Sequence, residues 1–196
     1  MKQDLLSYEI LLASGSPRRA GLLRELGIPF RVVEAGHVHE HYPSHLKGRA
    51  IAAFLAEQKA TAYQTPLGDR EILLTADTVV WHRGKELGKP AGHEEAVEMI
   101  RSLAGYTHQV YTGVCLRSPG KKKTFVVATD VTFANLTLQD IETYVNRCSP
   151  FDKAGGYGIQ EWIGLIGVER IRGSYFNVIG LPVQRVYTEL KKMIHT

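Results

Sequence analysis

Residues 71–81, EILLTADTVVW, constrain the fold most, because they combine an apolar strand pattern with a single acid in the interior of the run. Aliphatic and β-branched residues flank Asp77 on both sides, which predicts an extended, buried segment. An ionised carboxylate in such surroundings is costly unless it is paired, hydrogen-bonded or bound to a metal. Asp77 is therefore either a turn or capping residue, or a metal ligand or general base at a strand end.

Strand and helix patterns intermix along the rest of the chain. Apolar runs or alternation predict strands over residues 8–13, 28–33, 108–117, 124–135 and 164–171. Apolar positions at helical spacing predict helices from Pro17 to Gly27, then over 49–64, 93–103, 137–146 and 181–193. The run Lys121–Lys123 follows Ser118-Pro119-Gly120 and predicts the tip of a hairpin. This mixture favours an α/β fold with a mixed sheet.

The segment Ser14-Gly15-Ser16-Pro17-Arg18-Arg19 places two arginines in the first turn of a predicted helix. Ser16 is a candidate N-cap, and Gly27 is a candidate C-cap. A cation at the positive end of the helix dipole costs about 0.3–1 kcal/mol. Arg18 and Arg19 make sense there if an anion occupies the helix N-terminus. The alternative is that both arginines point into solvent or pair with distant carboxylates.

Composition bounds the class of protein. The chain has 196 residues, 44% hydrophobic and 22% charged, which excludes disordered, collagen-like and coiled-coil proteins. We expect one domain over residues 1–196. The start of the chain has no signal-peptide or membrane-anchor pattern, and Cys115 and Cys148 are too few for a disulfide scaffold. We therefore expect a soluble cytoplasmic protein. The net charge of +4 fits either a nucleic-acid partner or one concentrated anion site.

Weaker signals lie elsewhere in the chain. Lys59 and Lys89 are of interest only in company with the arginine pair, because isolated lysines are usually solvated. The glycine-rich residues 155–158, followed by Gln160, could let a ligand approach the backbone, or could form an ordinary structural loop. Residues 37–41, HVHEH, are either a solvated loop or a transition-metal site.

Taken together, stretches spread over nearly the whole chain resemble the Maf family of nucleoside triphosphate pyrophosphatases. The resemblance implies an α/β fold with an elongated mixed sheet and a central cleft between two lobes. It also implies hydrolysis of a nucleoside triphosphate to the monophosphate and pyrophosphate with Mg²⁺ or Mn²⁺. The matching stretches are LLASGSPRR (11–19), ADTVV (76–80), GKP (88–90), THQVYTGV (107–114), DKAGGYGIQ (152–160) and GSYFNVIGLP (173–182).

The same resemblance implies roles for individual residues. Asp77 matches the catalytic proton acceptor and metal ligand of the family, and Glu40 matches an acid near the metal. The positions that hold the phosphates are Ser14, Arg18, Arg19, Lys59 and Lys89. The positions that set specificity in the dTTP/UTP subfamily are Arg18, Thr78 and Gln160.

The sequence departs from the family pattern at His37 and His39, where relatives often carry acids, which bears on metal preference. The resemblance also suggests a homodimer and a role in cleaning the nucleotide pool. Neither a membrane nor a nucleic acid is an expected partner. The alternatives are a pyrophosphatase of the 7-methyl-GTP type, or a nucleotide- or nucleic-acid-binding regulator of cell division without turnover.

Overall fold

A computed structural model describes residues 5–36, 38 and 41–195 of the chain. The strands are β1 (Glu9–Ala13), β2 (Phe30–Val33), β3 (Glu71–His82), β4 (Lys85–Leu87), β5 (Thr107–Ser118), β6 (Lys121–Phe133) and β7 (Val168–Arg172). The helices are α1 (Pro17–Leu26), α2 (Arg49–Ala62), α3 (His93–Leu103), α4 (Leu138–Cys148), α5 (Trp162–Gly167), α6 (Tyr175–Ile179) and α7 (Val183–His195). A short 3₁₀ turn covers Ala154–Gly156.

The described strands form one sheet in the order β2-β1-β3-β5-β6-β7, and β4 pairs separately with β3. β1 is parallel to both β2 and β3, whereas the other pairs are antiparallel. This mixed sheet, with helices on its faces, confirms the α/β fold expected from the sequence. None of the helices in the described part of the chain has the length and apolarity that a membrane span requires.

The edge of β3 that carries β1 and β4 is open in its middle. The last pair between β1 and β3 joins Leu12 to Leu74, and the first pair with β4 joins Val80 to Leu87. Between these points that edge has no strand partner among the described residues, while β5 pairs continuously along the opposite edge. The open stretch includes Asp77, so the fold presents this acid at a gap between two strands.

One face of β3 carries two apolar clusters, one toward each end of the strand. Ile72, Leu74 and Ala76 belong to the first cluster, with α1 and α7. Val80 belongs to the second, with α3, α4 and α5. Because successive side chains alternate between faces, Thr78 shares this face and lies between the two clusters. The polar gap in the sheet edge therefore coincides with a break in the apolar core.

The opposite face of β3 packs against α2. Leu73 and Val79 contact apolar residues of that helix, and the Thr75 hydroxyl donates to the Ala56 carbonyl at 2.6 Å. Asp77 lies between Thr75 and Val79 on this face. The alternation of the strand therefore sends Asp77 and Thr78, although adjacent in sequence, to different faces of the sheet.

One predicted strand was wrong in its first half. The sequence pattern predicted a strand over 164–171, but the structure has α5 over Trp162–Gly167 and β7 only from Val168. A Cβ atom on Gly164 would lie 1.8 Å from the carbonyl oxygen of Ile159, so the absence of a side chain lets this backbone pack closely. A short apolar run does not by itself distinguish a buried strand from a buried helix.

The predicted helix ends were confirmed in part. Gly27 ends α1 in the left-handed conformation, and Thr137 and Asp140 form a reciprocal capping box at the start of α4. Ser16 occupies the N-cap position of α1, but its side chain makes no capping hydrogen bond. The backbone N–H groups at the start of α1 therefore do not use the Ser16 hydroxyl.

The lysine run is part of a strand and not of the turn. β6 begins at Lys121, and the turn between β5 and β6 is formed by residues 119–120. The Lys121 ammonium donates to the Met193 carbonyl at 3.3 Å, and Lys122 lies 3.6 Å from a Glu57 carboxylate oxygen. Two of these cations therefore have partners within the protein, which does not favour a nucleic-acid surface here.

His108 lies in the second apolar cluster region and is only 1% exposed. Its Nε2 lies 2.7 Å from the Tyr157 hydroxyl, and its ring packs edge-on against Phe133. Burial, reinforced by the neighbouring His82, lowers the pKa of His108 from 6.5 to about 3. The folded protein therefore keeps His108 neutral at neutral pH.

We expect the free energy of unfolding to fall as the pH drops below about 6.5, because the unfolded chain protonates His108 and the folded chain does not. The loss from this group between pH 7 and pH 5 is about 2 kcal/mol. His108→Gln does not titrate and should show a smaller loss. Denaturant unfolding of both proteins at the two pH values measures the difference. Equal losses in both would contradict the prediction.

Candidate active site

A cleft of about 1730 Å³ opens at the gap in the β3 edge. It lies beyond the carboxyl ends of β1 and β2, the edge at which open α/β sheets bind ligands. The structure brings the sequence-predicted site residues that it describes into the wall of this one cleft. These residues are Ser14, Arg18, Arg19, Lys59, Asp77, Thr78, Lys89 and Gln160. Glu40, His37 and His39 lie outside the described residues.

Asp77 and Lys59 form an ion pair in the cleft. The Lys59 ammonium, on α2, donates to Asp77 Oδ1, and the two side chains are 14% and 13% exposed. Asp77 lies in the middle of β3 and not at a strand end, which corrects the expectation from sequence. It reaches the cleft because, on that edge of β3, the pairing with β1 ends at Leu74 and the pairing with β4 covers only residues 80–82. The pairing with Lys59 offsets the cost of partly burying the carboxylate.

Among the described residues, three acceptors hold the Arg19 guanidinium. Its Nε donates to the Gly180 carbonyl at 2.9 Å, one terminal nitrogen to Ser14 Oγ at 3.1 Å, and the other to Thr78 Oγ1 at 3.2 Å. These partners come from the loop after β1, from β3 and from the end of α6. Arg19 therefore does not simply point into solvent, and its positive charge has a fixed place in the cleft wall.

A line of hydroxyl groups continues from Arg19 into the core. Thr112 Oγ1 lies 3.0 Å from Thr78 Oγ1 and donates to the Asn177 carbonyl at 3.0 Å. A hydroxyl has one hydrogen to donate, so Thr78 donates to Thr112 and accepts from Arg19. Sequence analysis did not single out Thr112 or Asn177, although both fall within the matching stretches 107–114 and 173–182.

Arg18 has a different environment from that of Arg19. Its guanidinium lies 2.5 Å from Asp152 Oδ2, a carboxylate 134 residues away in sequence. For Arg18, this contact matches the alternative in which the helix-start arginines pair with distant carboxylates. Asp152 and its neighbour Lys153 also line the cleft, and sequence analysis did not single out either of them.

Lys89 follows β4 and lies on the other side of the gap from β1. Its side chain is exposed and makes no ion pair within the described part of the chain. The backbone next to it is anchored, because Gly155 N–H donates to the Gly88 carbonyl at 2.9 Å. The cleft therefore has cationic side chains on several of its walls: Arg19 beside β1, Lys59 on α2 and Lys89 after β4.

A second carboxylate in the cleft wall belongs to Glu86 on β4. The Tyr42 hydroxyl donates to it, and this hydrogen bond, together with burial, raises the pKa of Tyr42 to about 12. Tyr42 also lines the cleft. No sequence pattern marked either residue, because their contact depends on the placement of β4.

The Asp77 carboxylate fits a hard divalent cation. Its Oδ1 is bound to Lys59, while Oδ2 makes no hydrogen bond to the described residues and belongs to a side chain in the cleft wall. Mg²⁺ is commonly held by one or two carboxylates together with substrate phosphates, and not by a cage made only of protein ligands. No cluster of three or more metal-ligating side chains was found among the described residues.

Comparison with known proteins identifies the family. Residues 9–193 match the model of the family described as Maf-like protein. A dTTP/UTP pyrophosphatase of Bacteroides fragilis is 53% identical, covering 98% of this chain and 100% of the relative. Proteins of the same name from Bacteroides thetaiotaomicron and Christiangramia forsetii are 50% and 48% identical, covering 98% and 100% of this chain and all of each relative.

Among solved structures, a HAM1 protein from Coxiella burnetii is similar with a TM-score of 0.49 and 14% identity. The match covers 94% of this chain and 99% of that chain. The family model extends over nearly the whole described fold, and the sequence relatives match over their full lengths. On these findings, the chain belongs to the Maf family.

Proposed function

We propose that this protein hydrolyses dTTP and UTP to the nucleoside monophosphate and pyrophosphate, and that it does so as a housekeeping enzyme of the cytoplasmic nucleotide pool. One observation carries the proposal: a carboxylate, Asp77, stands at a gap in the sheet with Arg19, Lys59 and Lys89 around it in one cleft. The name shared by the relatives, dTTP/UTP pyrophosphatase, supports the choice of substrate.

The cationic side chains suit a triphosphate. A nucleoside triphosphate carries roughly four negative charges, and preorganised cations in a cleft stabilise the charge that moves to the leaving group. Arg19 is already oriented by Ser14, Thr78 and Gly180. Lys59 is bound to Asp77, so the arriving phosphates compete for its ammonium and draw it partly away from the carboxylate.

Asp77 is the carboxylate of the cleft to which we assign the proton. A water molecule attacks the α-phosphorus, the bond between that phosphorus and the bridging oxygen breaks, and pyrophosphate leaves. The proton lost by the water goes to the Asp77 carboxylate. Proton transfer from the water to this carboxylate is favoured when the water is acidified by its surroundings.

A divalent cation such as Mg²⁺ or Mn²⁺ would supply that acidity and would neutralise phosphate oxygens when bound. Asp77 would hold it, together with the phosphates and with Glu40, which the family resemblance assigns to this role. Arg18, Thr78 and Gln160 would contact the base, because all three line the cleft and match the subfamily that prefers dTTP and UTP. A homodimer is part of the same proposal.

A nucleotide panel tests the function. Purified protein is incubated with Mg²⁺ or Mn²⁺ and dTTP, UTP, ATP, GTP or 7-methyl-GTP, and pyrophosphate and orthophosphate are measured separately. We expect pyrophosphate, released fastest from dTTP and UTP. Orthophosphate alone would contradict attack at the α-phosphorus, and a preference for 7-methyl-GTP would assign the protein to the other substrate type. No release from any nucleotide would contradict the proposal.

A further inference from the structure

Arg18 on α1 has a carboxylate as its partner. Its guanidinium is bound to Asp152, while its neighbour Arg19 donates, among the described residues, to a carbonyl and to two hydroxyl groups. The Arg18 and Asp152 side chains are 27% and 57% exposed. A guanidinium that is already balanced by a carboxylate gains less from an added phosphate, because the carboxylate repels the anion. It keeps its directional N–H donors for neutral acceptors.

Asp152 is itself part of a chain of alternating charges. Its Oδ1 lies 2.7 Å from the Lys153 ammonium, and Lys153 lies 3.0 Å from Glu161 Oε1. Burial alone would raise the pKa of Asp152, but hydrogen bonds from Lys153 and Arg18 lower it to about 2. Lys153 is largely enclosed, with its side chain 10% exposed. Several charges joined in this way hold their geometry better than an isolated surface pair does.

The far end of this chain anchors the turn that carries Gln160. The Glu161 N–H donates to the Gly158 carbonyl at 2.9 Å, which closes a turn with Gln160 near its tip. The Tyr144 hydroxyl donates to the Glu161 carboxylate and accepts from the Gly158 N–H at 2.9 Å. A Cβ on Gly158 would lie 2.7 Å from Glu161 Cδ, so glycine is needed for the carboxylate to sit there.

We propose that Asp152, Lys153 and Glu161 form a specificity bridge, which fixes Arg18 on α1 and Gln160 on the loop relative to each other across the cleft. These three are positioning residues that act through Arg18 and Gln160. With its charge balanced, Arg18 donates hydrogen bonds to carbonyl oxygens of a pyrimidine base and does not serve chiefly as a phosphate-binding cation. The inference rests on the proposed function, because it takes Arg18 and Gln160 as residues that contact the base.

The test removes one charge without changing the shape of the side chain. In Asp152→Asn, the Arg18 guanidinium loses its anchor and its charge becomes available to phosphates. We expect the ratio of kcat/KM for UTP to that for GTP to fall by about tenfold, while KM for both nucleotides stays the same or falls. Lys153→Met should lower the same ratio, and Lys153→Arg should largely retain it.

Arg31→Met is the matched control. Arg31 pairs with Glu9 and Glu71 on the exposed edge of the sheet, and the cleft wall does not include it. We expect its UTP-to-GTP ratio to equal that of the wild type. An unchanged ratio in Asp152→Asn, or a rise in KM by the same factor for both nucleotides, would overturn the inference and would indicate a purely structural bridge.

The proposed function and the specificity bridge can fail separately. If the wild type releases no pyrophosphate, the proposed function fails. The specificity bridge is then tested by the increase in Tm that non-hydrolysable UTP and GTP analogues produce. A larger shift with the UTP analogue in the wild type, and equal shifts in Asp152→Asn, would support the bridge. Equal shifts in the wild type would overturn it.

Discussion

Replacing Asp77 with asparagine is expected to lower kcat for pyrophosphate release by about 10³-fold, the scale of a lost general base. Asparagine keeps the size of the side chain and can still accept a hydrogen bond from Lys59, but it takes no proton from water at neutral pH. Because Arg19, Lys59 and Lys89 remain in the cleft to hold the phosphates, the loss should appear in kcat more than in KM.

Initial rates of pyrophosphate release over a range of dTTP concentrations measure both parameters. Asp130→Asn is a suitable control, because Asp130 is a half-buried acid of the same sheet that binds Gln109 and is not part of the cleft wall. It should retain the wild-type kcat. An Asp77→Asn protein that keeps kcat within a few fold of the wild type would remove Asp77 from the role of proton acceptor.

Asp77 was recognisable in the sequence because burying an ionised carboxylate inside an apolar strand costs free energy in any fold. The place where it acts could not be derived in the same way. Asp77 reaches the cleft in the middle of β3 because the pairing with β1 ends at Leu74 and β4, which ends at Leu87, pairs with β3 no further back than Val80. The sequence did not predict the short strand β4, because β4 is defined by its pairing with β3 and carries little pattern of its own.

For the arginine pair too, one property was predictable from the sequence and another depended on the fold. Two cations in the first turn of α1 were recognisable as misplaced with respect to the helix dipole. That Arg18 is balanced by Asp152 and that Arg19 is held by Gly180 depends on residues more than 130 positions away. Pattern reasoning within one segment contains no information on such contacts. Family resemblance assigned roles to Lys59, Lys89 and the specificity positions, but it did not indicate the bridge between Arg18 and Gln160.

Helix boundaries were predictable where the residue at the boundary has a conformational preference that suits a helix end. Gly27 at the left-handed end of α1 and the capping box of Thr137 and Asp140 are examples. The failure at α5 has the opposite origin, because Gly164 is required by a close contact with Ile159 that exists only in the folded chain. Glycines that serve tertiary contacts are not distinguishable in sequence from glycines that serve turns.

Gly113 is the position where such a contact is expected to matter most. It pairs with Asp77 between β5 and β3 and is buried against α2. A Cβ there would lie 2.0 Å from the carbonyl oxygen of Ala52 and 2.8 Å from the backbone nitrogen of Ala53. These are main-chain atoms of a helix, so no side-chain rotation relieves the overlap, and α2 must move off the sheet.

We therefore expect Gly113→Ala to lower the free energy of unfolding by about 3 kcal/mol or more, the upper part of the range for overpacked cores. For a chain of this length that corresponds to a drop in Tm of roughly 6–12 °C. Gly21→Ala is the matched control, because a Cβ on that helical glycine meets no atom within 4 Å. It should leave Tm unchanged or raise it, since alanine favours a helix over glycine by about 0.5–1 kcal/mol.

Thermal unfolding followed by circular dichroism separates the two variants. Because α2 also carries Lys59, the Gly113→Ala protein should lose pyrophosphatase activity at temperatures at which it is still folded, as the shifted helix draws the ammonium away from Asp77. The Gly21→Ala protein should keep its activity. If Gly113→Ala melted within about 2 °C of the wild type, the helix would have to accommodate the methyl group without moving, and the close packing of α2 on β5 would not be what sets the position of Lys59.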